Sequence, residues 1–356
     1  MQSRIVRLHG KRDIRIETED APSPGPGELL LQMAMGGICG SDLHYYQDGG
    51  FGPIQVREPI ISGHEASGFV AALGDGVTFP PVGALVAVNP SQPCGTCAYC
   101  TAGQPIHCLD MRFMGSAMRL PHEQGMFRNF LVVPAIQCFP VAKDISPAEA
   151  ACAEPLAVCL HAVAQAGDLT GMKVLVTGAG PIGLLTMAAA RQAGAAEIVA
   201  TDLTDAALAR APAMGATSVI NVGRDGETLA RYGAGKGYFD IVFDCSAATP
   251  ALRSAFATVR PRGTIIQVGV TGDVTIPLNA LVGKEITWRG SQRFDREFEQ
   301  AVALISSRAI DVRPILSHTF ALDHAVEAFE QAGDRTAACK VQIKLGELAS
   351  SPGADA

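Results

Sequence analysis

One run confines this chain more than any other: Val174-Leu175-Val176-Thr177, then Gly178-Ala179-Gly180-Pro181-Ile182-Gly183, then an alanine-rich apolar stretch. β-Branched residues lead into a G-x-G-x-x-G turn, and the turn opens a helix. Asp202 lies nineteen residues beyond Gly183, at the end of the next strand-like run. In such a unit the first glycine permits the tight turn and the second lets backbone approach a pyrophosphate. The third allows helix and strand to pack closely, and the helix N-terminus stabilises the phosphate charge. The plainer reading is a glycine turn that binds nothing. The strand before, the helix after and the acid at 202 together favour a dinucleotide. Asp202 would accept hydrogen bonds from the adenosine ribose and repel a 2′-phosphate, which favours NAD over NADP, although Arg210 stands close enough in sequence to reach a phosphate.

The surroundings agree. Short β-branched runs at 173–177, 197–201, 218–222, 239–244, 264–268 and 285–289 alternate with helical patterns such as 182–193 and 205–214. Six strands joined by helices predict a doubly wound parallel sheet. The chain before residue 150 reads differently. A Pro/Gly-rich connector at 21–27 precedes strand candidates at 28–35, 69–73 and 84–88, a pattern that suits an antiparallel, barrel-like domain. After residue 293 a mixed pattern suggests a return to the first domain. The expected organisation is thus α/β, with residues 1–150 completed by 294–348, a nucleotide domain at 151–293, and a disordered tail at 349–356.

The formal charge of −7 argues against nucleic acid or an anionic membrane as the main partner. No apolar run is long enough to span a bilayer, and no signal-peptide core is present, so a cytoplasmic protein is expected. In a reducing compartment ten cysteines need another explanation than disulfides. Cys94-x2-Cys97-x2-Cys100-x7-Cys108 gathers four in fifteen residues around Gly95 and Gly103. One loop of this spacing can wrap a tetrahedral zinc, and four sulfurs leave no position for water, so the site is structural. His107 could replace a sulfur, but four suffice. Cys138, Cys152, Cys159, Cys245 and Cys339 stand alone in apolar stretches and read as small core residues.

Cys39, in Gly36-Gly37-Ile38-Cys39-Gly40-Ser41-Asp42-Leu43-His44, and His64, in Gly63-His64-Glu65-Ala66-Ser67-Gly68, are each ambiguous by themselves. Packing explains a lone cysteine or histidine as readily as ligation. Taken with the segment Gly63-His64-Glu65-x2-Gly68-x5-Gly74-x2-Val77, the cysteine quartet and the nucleotide turn, the whole chain resembles the zinc-containing medium-chain dehydrogenase/reductase family. That resemblance implies a GroES-like catalytic domain, a Rossmann domain and an active site between them. It implies a second, catalytic zinc on Cys39 and His64, with Glu65 or Glu154 completing the set. Ala153-Glu154-Pro155-Leu156-Ala157-Val158 resembles the polyol dehydrogenase branch. The family is usually dimeric or tetrameric, so a homo-oligomer is expected by analogy.

The implied chemistry is oxidation of a secondary alcohol, with hydride passing to NAD. Ser41 would receive the hydroxyl proton and His44 would pass it to solvent; turn capping and surface packing are the alternative for both. Val268-Gly269-Val270 and Ser291–Arg293 would help to position the nicotinamide. Residues 36–46, Asn89-Pro90-Ser91, 110–118 and Gly290-Ser291-Gln292-Arg293-Phe294 resemble the L-idonate-oxidising members more than sorbitol or xylitol dehydrogenases. Met126 departs from that pattern, where a glycine is expected. A sugar acid needs a cation in the pocket, and Arg112, Arg119 and Arg293 are the candidates. Arg293 and Tyr45 match substrate-contacting positions of the branch. The alternatives are an uncharged polyol substrate and a zinc- and NAD-binding protein without turnover.

Overall fold

The computed structural model describes residues 2–270 and 272–346; the proposed tail at 349–356 lies outside them. From Lys173 onward, alternation of apolar strands and helices builds one six-stranded, all-parallel sheet. Its order is Ser218–Asn221, Glu197–Asp202, Lys173–Thr177, Phe239–Asp244, Val259–Gln267, Thr287–Gly290. The inner strands are buried on both faces, as parallel sheets covered by helices require. Two expectations need correction. Asp205–Leu208 is a short α-helix that gives way to a 3-10 turn at Pro212–Met214, because Pro212 has no N–H to continue the ladder. The strand expected at 264–268 is longer, Val259–Gln267, with a register shift opposite residues 239–241.

The other large sheet has seven strands, centred on Glu28–Gly37. Glu28–Gly37 pairs antiparallel with Glu65–Leu73, Phe130–Pro134 and Lys340–Lys344. The sheet is not purely antiparallel, since Leu316–Ala321 runs parallel to Lys340–Lys344. The last strand therefore returns from beyond the nucleotide-binding sheet to lie beside one of the first. A core of Leu156, Leu184, Phe243 and Phe298 extends to Ala87 and Phe113, so the two sheets share packed apolar contacts. No described helix is long and apolar enough to cross a membrane.

Candidate active site

The strand Glu28–Gly37 runs into Cys39, and the helix Gly40–Asp48 begins immediately after it. On the neighbouring strand Glu65 lies opposite Gly37, which brings His64 to the same end of the sheet. Ligand atoms of Cys39, His64 and Glu65 lie within 4.8 Å of one another. Gly37 makes room for this: a Cβ there would stand 2.3 Å from Glu65 Oε2. Two residues absent from the sequence reasoning hold the group together. Asp42 is fully buried; its carboxylate accepts the Cys39 N–H at 3.0 Å and the Gly63 N–H at 3.1 Å, tying the two loops together. Lys340 is buried and donates to both Glu65 oxygens (2.8 and 2.6 Å) and to Ile38 O (3.1 Å). Lys340 gets there because Ile38 N–H donates to Val341 O, which aligns it with Cys39.

Glu154 occupies the first turn of the helix Ala153–Ala166, a position that favours a carboxylate, and is buried. Its oxygens are not within the 4.8 Å set, yet His64, Glu65 and Cys39 all act on its charge. Burial, reinforced by Glu65 and Cys39, pushes the Glu154 carboxyl up to about 8 against the opposing pull of His64. Burial and then Glu65 likewise push the Cys39 thiol up to about 11. Two acidic donors are thus crowded where negative charge is penalised, a penalty that a divalent cation relieves. The donor chemistry fits zinc.

The quartet Cys94, Cys97, Cys100 and Cys108 also converges, with sulfurs within 4.8 Å of one another and no disulfide. Tetrahedral zinc with Zn–S near 2.3 Å sets sulfurs about 3.8 Å apart, and Cys97 and Cys108 stand at 4.0 Å. Backbone N–H groups of Cys94, Cys97, Leu109 and Asp110 donate to these sulfurs, as suits thiolates. His107 is not in the set; its ring packs edge-on to Tyr99.

The nucleotide turn has the shape its glycines require. Gly178 takes φ +91, and a Cβ on Gly183 would lie 1.8 Å from Gly178 O. A Cβ on Gly180, the N-cap of the helix Pro181–Gln192, would meet only open space, and Ile182 follows in the first turn. Asp202 Oδ2 accepts the Ala179 N–H at 2.8 Å, while Oδ1 accepts from Leu203 (2.7 Å) and Thr204 (3.2 Å). Arg210 folds back on Ala206 O. At the other strand ends, Val268 and Gly269 both donate to Asp244 O, and Val270 is exposed. Ser291 Oγ is buried without a partner among the described residues.

Of the three candidate arginines, two are already neutralised. Arg112 makes a forked pair with Glu123 (2.8 and 3.1 Å), and Arg119 meets Asp110 at 2.8 Å. Arg293 has no ion pair among the described residues. Its guanidinium lies 3.8 Å over the Phe113 ring, and Phe113 in turn packs against His64. Desolvation pulls its pKa down, opposed by the charges of Glu154, Tyr45 and Cys39. Tyr45 is buried, and its hydroxyl accepts the Ala117 N–H at 3.2 Å. Ser41 is the second residue of the helix Gly40–Asp48, whose exposed face carries His44, and His44 Nδ1 meets Asp48 at 3.2 Å.

Comparison with known proteins agrees with this geometry. Residues 25–143 match the alcohol dehydrogenase GroES-like domain, and residues 181–307 match the zinc-binding dehydrogenase domain. The chain is 40% identical over 340 residues to L-idonate 5-dehydrogenase (NAD(P)(+)) of Escherichia coli K12, covering 94% of this chain and 96% of that one. The crystal structure of L-idonate 5-dehydrogenase from E. coli K-12 superposes with a TM-score of 0.91 at 39% identity, over 97% of this chain and 98% of that chain. Sorbitol dehydrogenase of Bos taurus is 33% identical over 97% of both chains. An alcohol dehydrogenase of E. coli CFT073, solved with NADH, has a TM-score of 0.86 at 26% identity, over 96% of this chain and 99% of that one.

Proposed function

This chain belongs to the zinc-binding, medium-chain alcohol dehydrogenase family, and from that premise we propose that it oxidises L-idonate at C5 to 5-keto-D-gluconate. It is a zinc-dependent polyol or alcohol dehydrogenase linked to NAD(P). In the proposed arrangement Cys39 and His64, with Glu65 or Glu154, hold the catalytic zinc, and Cys94, Cys97, Cys100 and Cys108 hold the structural one. Zinc supplies Lewis acidity, which makes a hydroxyl far more acidic than it is in water. The Ser41 hydroxyl takes the proton and hands it to His44. With Nδ1 engaged by Asp48, Nε2 is the ring nitrogen left to accept it. Gly178, Gly180, Pro181, Ile182 and Gly183 cradle the pyrophosphate, while Val268, Gly269, Val270, Ser291 and Arg293 border the nicotinamide. The three backbone bonds to Asp202 fix a negative charge at its strand end, which supports NAD over NADP. The family resemblance further supports a cytoplasmic homo-oligomer.

One observation carries the substrate: Arg293, alone among the three candidate arginines, keeps a guanidinium that no carboxylate neutralises. A cation held by an aromatic face and a thioether is poised for a bidentate carboxylate. Sorbitol offers none. The test is NADH formation with L-idonate and with sorbitol in parallel, plus the reverse reaction with 5-keto-D-gluconate. L-Idonate is expected to give the higher kcat/KM, and Arg293→Met to remove that preference by at least about tenfold, the weight of one charge-assisted bond. Equal use of both substrates would discard the carboxylate reading and leave the zinc chemistry standing.

A further inference from the structure

The partner that Arg293 does have is unusual. Its Nη2 donates to Met118 Sδ at 3.1 Å. A thioether is a weak, neutral acceptor, so the contact orients the guanidinium without discharging it. The backbone leading into Met118 is pinned by two bonds. Tyr45 Oη accepts the Ala117 N–H at 3.2 Å, and Ser116 Oγ accepts the Met118 N–H at 3.3 Å. Yet the Met118 side chain is open to solvent, at 54% exposure. The sulfur of a half-exposed residue thus rests directly on the cation assigned to the substrate's carboxylate.

We propose that Met118 is an oxidation-sensitive gate on this site: as the sulfoxide it occupies Arg293 and excludes an anionic substrate. A hydroperoxide transfers one oxygen to Sδ. The sulfur loses two electrons, the O–O bond breaks, and the peroxide leaves as water or an alcohol. The new S–O oxygen is a strong, partly negative acceptor on the side chain that already touches Nη2. It competes with a carboxylate for the same N–H groups, whereas an uncharged polyol does not need them. The inference rests on the reading of Arg293 as the carboxylate-binding residue.

The test treats the zinc-loaded enzyme with graded hydrogen peroxide, follows oxygen addition to the Met118 peptide by mass spectrometry, and measures KM for L-idonate and for sorbitol at each dose. As Met118 oxidises, KM for L-idonate is expected to rise about tenfold, the loss of one charged hydrogen bond, with KM for sorbitol little changed. Methionine sulfoxide reductase is expected to reverse the rise. Met118→Gln, which places an amide oxygen near the same point, is expected to show the raised KM without peroxide. Met118→Leu is expected to keep its own untreated KM ratio through the same treatment. The inference is overturned if Met118→Leu responds to peroxide as the parent does, which would assign the effect to cysteines. It is overturned also if complete Met118 oxidation leaves the KM ratio unchanged in an enzyme whose ratio does collapse on Arg293→Met. If Arg293→Met itself leaves the ratio unchanged, the carboxylate reading fails, and the gate fails with it.

Discussion

Lys340 is a buried cation beside the Cys39–His64 group. It and Glu65 are both buried, so each is tolerable only through the other, and Ile38 O takes the remaining proton. In the metal-free protein, Lys340→Met leaves a buried carboxylate without its lysine counter-charge and is expected to cost about 3–5 kcal/mol of stability in urea unfolding. Glu65→Gln in the same chain is expected to restore much of that loss, the coupling that a double-mutant cycle reads. A single-variant cost below about 1 kcal/mol would mean that water reaches the pair. Neither Lys340 nor Asp42 stood out in the sequence, because nothing local marks them. Lys340 meets Glu65 across 275 residues, and a lysine in Cys339-Lys340-Val341 reads as one more strand residue. The cysteine quartet was legible for the opposite reason: its convergence is set by spacing within one loop. The resemblance already favours Arg293 over Arg112 and Arg119, and the physical reason lies in Glu123 and Asp110, which cover the other two.

Elements that depend on local pattern were readable, and those that depend on pairing were not. The strand Lys173–Thr177 and the helix Pro181–Gln192 fall within a residue of the sequence reading, because β-branched residues, a glycine turn and a helix-forming run act in consecutive order. The parallel pairing of Leu316–Ala321 with Lys340–Lys344 had no such signal. Two alanine substitutions separate the parts of the nucleotide turn. Gly183→Ala drives a methyl into Gly178 O and is expected to cost about 1–3 kcal/mol or more, by thermal unfolding. Gly180→Ala meets open space and is expected to cost no more than about 1 kcal/mol, yet to raise KM for NAD by crowding the pyrophosphate. Elsewhere, Glu297 at the start of the helix Glu297–Ser306 pairs with His161 on Ala153–Ala166 at 3.0 Å. Burial opposes its charge, but the bonds from His161 and from the Asp295 N–H hold its carboxyl down to about 2. A depressed folded-state pKa means that this stabilisation is complete above the ordinary value near 4.5 and fades as pH falls towards 2. Glu297→Gln is therefore expected to be less stable than the parent at pH 6, with the gap closing across that window. A gap independent of pH would remove the assignment.

For the whole molecule, two groups of metal-ligating side chains, different in kind, share one chain. Metal analysis is expected to give two zincs per chain, and Cys97→Ser one, with a lower Tm. Retention of two zincs in Cys97→Ser would sink the quartet assignment. The sheet layout also has a consequence for timing. The strand Lys340–Lys344 completes the sheet that Glu28–Gly37 and Glu65–Leu73 begin, after the entire parallel sheet has intervened. During synthesis the parallel sheet can therefore form from contiguous chain, while the Cys39–His64 end of the other sheet waits for the final strand. Until Lys340 arrives, Glu65 has no lysine to answer its charge. An emerging chain in that interval offers the carboxylate and its neighbours to any metal at hand.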